Sequence, residues 1–349
     1  MSEGTSAFPL TAQLEALLAG RDLSGPEATA VFEAIVGGQV GASSMGAFLT
    51  ALRMKGESPA ELAAFAAVMR AHARRISAPP GTLDTCGTGG DGAQTFNIST
   101  AVALVLAGMG VPVAKHGNRA VSGNSGSADV LRVLGVNVDA SLEIVQCCLR
   151  EVGMCFLFAP LFHPGMKHAS PIRKELGIRT VFNLLGPLSN PAGSDRQLVG
   201  VFSARWCRPL AEALRTLGSR RALVVCGPGP DGRGSLDEIS LWGPTHAARL
   251  NEAGAIIEEE IDPAALGFAA PPAAALNVTS AEGSAKIIRS VLAGRPGPAR
   301  DAVLLNAAAA AQVAGRAGSW EQGLTAAAAA LDEGKATAAL ERLVKASNA

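Results

Sequence analysis

The segment Asp84-Thr85-Cys86-Gly87-Thr88-Gly89-Gly90-Asp91-Gly92 places four glycines within six positions, directly after a β-rich run. Glycine lets a backbone turn tightly and approach a ligand, which leaves peptide N–H groups to face phosphate oxygens. The spacing is neither the GxGxxG dinucleotide pattern nor the GxxxxGK(S/T) phosphate loop, and a plain sharp turn is the competing reading. Phe96-Asn97-Ile98-Ser99-Thr100 follows at once. Its polar side chains suit a helix cap, or phosphate and ribose contacts with a hydroxyl available to magnesium; a cap residue can also face a ligand.

Val113-Ala114-Lys115-His116-Gly117-Asn118-Arg119 sets three potentially basic side chains at the mouth of an apolar strand. A buried cation is costly unless it meets an opposite charge, which points to an anionic ligand; a solvated turn is the alternative. Ser122-Gly123-Asn124-Ser125-Gly126-Ser127 adds another row of donors before the helix containing Asp129. His163 to His168 then precede Pro171-Ile172-Arg173 and Asn183 to Pro187. Arg173 is either a solvated helix arginine or a fork for a planar carboxylate. Neither His163 nor His168 falls in a HExxH pattern, so zinc is not supported. Adjacent Asp237 and Glu238 repel each other, and magnesium gives a physical reason to keep both in one loop, although surface acids are common.

These loops need a frame. Short runs at 83–86, 111–114, 154–158, 198–202 and 223–226 are expected strands. They alternate with helical patterns near 99–108, 126–134, 141–151, 164–176 and 207–217, which implies a mainly parallel sheet covered by helices. In such a sheet the loops collect at the carboxyl ends of the strands, where ligands bind. The first 76 residues instead repeat helical stripes, such as Leu10, Leu14, Leu17 and Leu18. Ser24 with Glu27, and Ser58 with Glu61, are expected capping boxes. The tail is alanine-rich, with helices expected near 281–293, 301–314 and 320–345, the first capped by Thr279 and Glu282. The expected division is a small all-helical domain at 1–76, joined by helices near 164–185, packed on a larger α/β domain at 77–349.

Thirty basic and thirty acidic residues balance, which argues against nucleic acid or an anionic membrane as the main partner. The six cysteines form no repeated CxxC pattern and suit free thiols in a reducing cytosol. Met1 to Pro9 carries no basic apolar leader, and no run has the length of a membrane span, so a cytoplasmic protein is expected.

Gly87 to Asp91, Asn97 to Thr100, Lys115 to Arg119, Asn183 to Pro187 and Leu236-Asp237-Glu238 occur in the order of the anthranilate phosphoribosyltransferase family, which the chain resembles over its whole length. The resemblance implies transfer of a phosphoribosyl group from its 1-diphosphate to the amine of anthranilate, in tryptophan biosynthesis, by a homodimer. It implies phosphoribosyl-diphosphate contacts at Gly87, Gly90, Asp91, Thr95, Asn97, Ile98, Ser99, Thr100 and Ser127. Lys115, His116, Gly117, Asn118, Arg119, Ala120, Val121, Ser122 and Gly123 complete that set. It places anthranilate at Gly87, Asn118 and Arg173, and two Mg2+ per monomer at Ser99, Asp237 and Glu238. Asn118, Arg173 and His116 are the implied catalytic residues. Asn124, where a basic or small residue is common, and the long approach from Gly227 to Gly234 depart from the family pattern. A nucleoside phosphorylase of the same fold and a noncatalytic phosphometabolite-binding regulator are the competing readings.

Overall fold

The computed structural model describes residues 8–90, 92–119, 125–232 and 234–349. Four helices lead: α1 (Thr11–Leu18), α2 (Gly25–Val36), α3 (Ala42–Lys55) and α4 (Pro59–Ala71). Both expected capping boxes form. Ser24 N–H donates to Glu27 Oε2 at 2.8 Å and Ser58 N–H to Glu61 Oε2 at 2.8 Å, while each serine hydroxyl accepts in return. These contacts satisfy N–H groups that a helix start leaves unpaired, so each cap fixes where its helix begins.

The sheet contains β1 (Leu83–Gly87), β2 (Val113–Gly117), β3 (Met154–Phe158), β4 (Arg196–Gly200), β5 (Arg221–Pro228), β6 (Ser235–Leu236), β7 (Thr245–Leu250) and β8 (Ile256–Ile261). Its order is β3-β2-β1-β4-β5-β7-β8, with β6 paired to β5. The first five members of that row run parallel; β6, β7 and β8 pair antiparallel. Strand order reverses between β1 and β4. That crevice is where an open α/β sheet binds ligands.

Helices α5 (Ile98–Gly108), α6 (Ser127–Val133), α7 (Leu142–Val152), α8 (Ala159–Phe162), α9 (Ser170–Leu176), α10 (Val181–Leu188) and α11 (Cys207–Thr216) join the strands. The tail forms α12 (Ala281–Leu292), α13 (Pro298–Val313), α14 (Trp320–Asp332) and α15 (Lys335–Ser347). Buried side chains alternate across the sheet. Leu198, Leu223 and Val225 join the core under α5 and the tail helices, while Val199, Ala222 and Val224 join a second core with α2, α4, α10 and α11. The period of two is that of a strand buried on both faces.

Several boundaries differ from expectation. β2 and β4 are each displaced by about two residues, because pairing with β1 sets their register: Leu83 faces both Val113 and Arg196. β6, β7 and β8 lie outside the expected strands: β6 spans two residues, β7 mixes polar and apolar residues, and β8, at the sheet edge, carries Glu258-Glu259-Glu260, since an edge strand tolerates charge. The segment 164–176 is a short 3₁₀ turn, Pro164–Lys167, followed by α9. The expected helix at 320–345 is two helices, broken where Gly334 takes φ +70°. Ser280, rather than Thr279, caps α12 by accepting from Gly283 N–H at 3.1 Å. Among the described residues, no helix is long and apolar enough to cross a membrane.

Candidate functional site

At the reversal point, Gly87 ends β1 and faces Gly200 at the end of β4. Asp237 fills the space that two side chains would otherwise take. A Cβ built on Gly87 meets Asp237 Oδ2 at 2.2 Å, and one built on Gly200 meets the Asp237 carbonyl oxygen at 1.5 Å. The glycine pair therefore admits the acidic loop into the crevice. Gly89 and Gly90, with φ +68° and +72°, turn the chain beyond β1. Gly89 N–H donates to Asp237 Oδ2 at 2.7 Å, so this turn already receives an anion. Arg179, stacked 4.4 Å above the Phe202 ring, donates to the Gly90 carbonyl.

The next turn opens α5. Ser99 N–H donates to Glu238 Oε1 at 2.9 Å, with a carboxylate at a helix N-terminus. Lys115, on β2 and 1% exposed, donates to the Thr85 carbonyl and to Ser99 Oγ at 3.2 Å. Burial pulls its basicity below the ordinary lysine range, and nearby Asp84, Glu238 and Asp237 oppose that shift. Gly87, Ser99, Lys115, Asp237 and Glu238 thus form one cluster, although 151 positions (238 − 87) separate the first from the last.

Fully buried Asp84 anchors the neighbouring strand. Its Oδ1 accepts from His116 N–H at 3.2 Å and its Oδ2 from Asn190 Nδ2 at 2.8 Å; the same amide nitrogen donates to the Ala114 carbonyl at 2.8 Å. Burial raises the Asp84 pKa, with Lys115 and these donors pulling it down. His116 Nδ1 lies 3.2 Å from the Gly186 carbonyl, so that nitrogen carries the proton. Its ring centroid is 5.1 Å from that of His163. Burial, with a smaller push from His163, drops the His116 pKa to about 3; burial drops His163 to about 4. Both imidazoles are neutral at pH 7.

Beyond β2, Gly117 nearly touches Ser127, and Asn118 and Arg119 are exposed. The Asn118 carbonyl accepts from Ala128 N–H at 3.2 Å, which ties this turn to the start of α6. Arg119 sits 5.4 Å above the Phe158 ring. Thr95 bridges to Asn277, Ile98 and Thr100 are buried in α5, and Asn97 is half-buried. Asp91, Ala120, Val121, Ser122, Gly123 and Asn124 lie outside the described residues. Arg173, on α9, lies 5.1 Å from the Phe182 ring, and burial lowers its basicity. Among the described residues no carboxylate pairs with its guanidinium, and burial alone shifts its basicity. A half-buried guanidinium so placed suits an incoming carboxylate.

Ser99, Asp237 and Glu238 form an all-oxygen set. Among the described residues no group of three or more His, Cys, Asp or Glu could hold a metal by itself. Such a set fits a hard cation that completes its shell with substrate and water oxygens, as magnesium does beside phosphates. The sequence motifs missed Asn190, Arg179 and Gly200. Only Gly200 carried a signal, since glycine in an apolar strand often marks close backbone approach.

Two family models match the chain: Glycosyl transferase family, a/b domain, at residues 79–337, and Glycosyl transferase family, helical bundle domain, at 12–73. The chain is 50% identical over 332 residues to anthranilate phosphoribosyltransferase of Phenylobacterium zucineum, covering 95% of this chain and 96% of that protein. It matches the crystal structure of anthranilate phosphoribosyltransferase from Thermus thermophilus with TM-score 0.89 and 42% identity, over 96% of this chain and 99% of that one. For the Saccharomyces cerevisiae anthranilate phosphoribosyltransferase in complex with PRPP and Mg, the TM-score is 0.86 at 29% identity, over 99% of each chain.

Proposed function

The chain belongs to the anthranilate phosphoribosyltransferase family, and from that premise we propose how its residues divide the reaction. It transfers the phosphoribosyl group of 5-phospho-α-D-ribose 1-diphosphate to the anthranilate amine, giving N-(5-phosphoribosyl)anthranilate and diphosphate, with Mg2+. The observation that carries the division of labour is the wedge of Asp237 between Gly87 and Gly200, with Glu238 on Ser99 N–H.

Gly87, Gly90, Asp91, Thr95, Asn97 to Thr100, Lys115 to Gly123 and Ser127 hold the phosphoribosyl diphosphate. Peptide donors and the Lys115 ammonium then stabilise the charge that grows on the leaving diphosphate. Two Mg2+ per monomer are proposed, held through Ser99, Asp237 and Glu238; when bound, they neutralise diphosphate charge. Arg173 grips the anthranilate carboxylate while Asn118 and Gly87 help to aim the amine at ribose C1, so positioning supplies much of the rate. The C1–O bond breaks toward the diphosphate and the amine lone pair forms the new C1–N bond. With a pKa of about 3, His116 accepts a hydrogen bond from the amine but holds its proton poorly; water takes the proton.

The boundary between 1–76 and 77–349 is likewise proposed, supported by the packing of α10, from the 164–185 linker region, on α3 and α4. Leu18 and Met54, 71% and 82% exposed on α1 and α3, support a homodimer through the helical face. A cytoplasmic location is supported by six free cysteines. The test is product formation from phosphoribosyl diphosphate, magnesium and anthranilate. Thymidine or uridine phosphorolysis without anthranilate turnover would favour the phosphorylase reading, and donor binding without diphosphate release a regulator.

A further inference from the structure

The backbone from Gln94 to Asn97 is zipped to a distant part of the chain. Val278 N–H donates to the Gln94 carbonyl at 2.9 Å, Phe96 N–H to the Leu276 carbonyl at 2.9 Å, and Asn97 N–H to Ser284 Oγ at 2.9 Å. Among the described residues Gln94 alone, apart from glycines, has positive φ, at 53°. Such a conformation persists only where the surroundings impose it.

Ser284 lies in the first turn of α12 with no exposed surface. Its hydroxyl donates to Asn97 Oδ1 at 2.9 Å, 187 positions away, instead of to a carbonyl of its own helix. The same Oδ1 accepts from Ser125 Oγ at 3.0 Å, and Asn97 Nδ2 donates to the Ser125 carbonyl at 3.3 Å. Both lone pairs of the amide oxygen are therefore used inside the protein. Helix α12 packs against both α5 and α6, which carry the two turns.

We infer that Ser284 is a positioning residue for the phosphoribosyl donor: its buried hydroxyl orients Asn97 and sets the gap between the turns at 97–100 and 125–127. The inference rests on the proposed placement of the donor between those turns. Ser284→Ala strips both hydrogen bonds and leaves the Asn97 N–H without its acceptor, a change that ordinarily costs about a factor of ten or more.

The experiment measures KM for each substrate in the parent, Ser284→Ala, Asn97→Ala and the double variant. Ser284→Ala should raise the donor KM about tenfold, hold the anthranilate KM within about twofold, and have a clearly smaller effect once Asn97 is alanine, when only the bond from the backbone N–H of residue 97 is left to lose. Ser284→Cys, similar in size but a weaker acceptor, should fall between parent and alanine; it stands in if the alanine variant fails to fold. If Asn97→Ala raises the donor KM while Ser284→Ala leaves it unchanged, or if the two effects simply add, the role of Ser284 is overturned. An unchanged donor KM in Asn97→Ala removes the donor from this turn, and the inference falls with it.

Discussion

Alanine at position 200 should disable the enzyme without touching a charged or polar side chain. The backbone of Gly200 is not at positive φ, so the effect is steric. The new Cβ would sit 1.5 Å from the Asp237 carbonyl oxygen, whereas ordinary contact begins at 3.4 Å. The Asp237 backbone must therefore retreat by about 1.9 Å, the difference between those distances. A shift of that size breaks the 2.7 Å bond to Gly89 N–H and drags Glu238 from its 2.9 Å bond to Ser99 N–H. Overpacking costs roughly 1–3 kcal/mol of stability, which a domain of this size survives. Misplacement by 1 Å or more costs on the order of 100-fold in rate. Anthranilate consumption, titrated with magnesium, should show kcat/KM down by at least about 100-fold and a higher half-saturating magnesium concentration. Gly46→Ala, inside α3 with nothing within 4 Å of the new Cβ, is the control. It should keep full activity and gain about 0.5–1 kcal/mol. A Gly200→Ala enzyme within about threefold of the parent, with unchanged magnesium demand, would refute the idea that the glycine pair seats the acidic loop.

Arg173→Ala should raise the anthranilate KM by about 100-fold, the loss of a charge-assisted pair, with little effect on magnesium demand; equal KM values in variant and parent would remove its carboxylate role. Asp84→Asn must set a donor against either His116 N–H or Asn190 Nδ2, so urea unfolding should show a loss of about 2–4 kcal/mol; an unchanged midpoint would mean that the network is dispensable. His116 and His163 are held neutral, at about 3 and about 4 against an ordinary 6.5. The unfolded chain takes up these protons first, so stability is full above pH 6.5 and falls as pH drops toward 4, by roughly 1.4 kcal/mol per pH unit for each ring. Urea midpoints from pH 6.5 to 5 should follow that slope, and His163→Phe should reduce it by about half; an unaltered slope in that variant would exclude His163 as the source.

What the sequence alone determined about this chain is local chemistry. Glycine spacing at 87–92, the serine caps at 24 and 58, and basic residues at the end of β2 express preferences of neighbouring residues, and a linear reading captures them. The alternating order of strands and helices fixed the layer architecture for the same reason. Tertiary structure decided the rest. Strand β7 exists because β5 offers it an edge, and the polar edge strand β8 because β7 does, not because their own patterns demand it. Gly200 became a seat for Asp237 only when β4 came to lie beside β1. Asn190 and Ser284 look like ordinary polar residues until folding brings them to Asp84 and Asn97, 106 and 187 positions away. A hydrogen bond between such residues has no periodicity to announce it, since its partners are chosen by the packing of whole helices and strands.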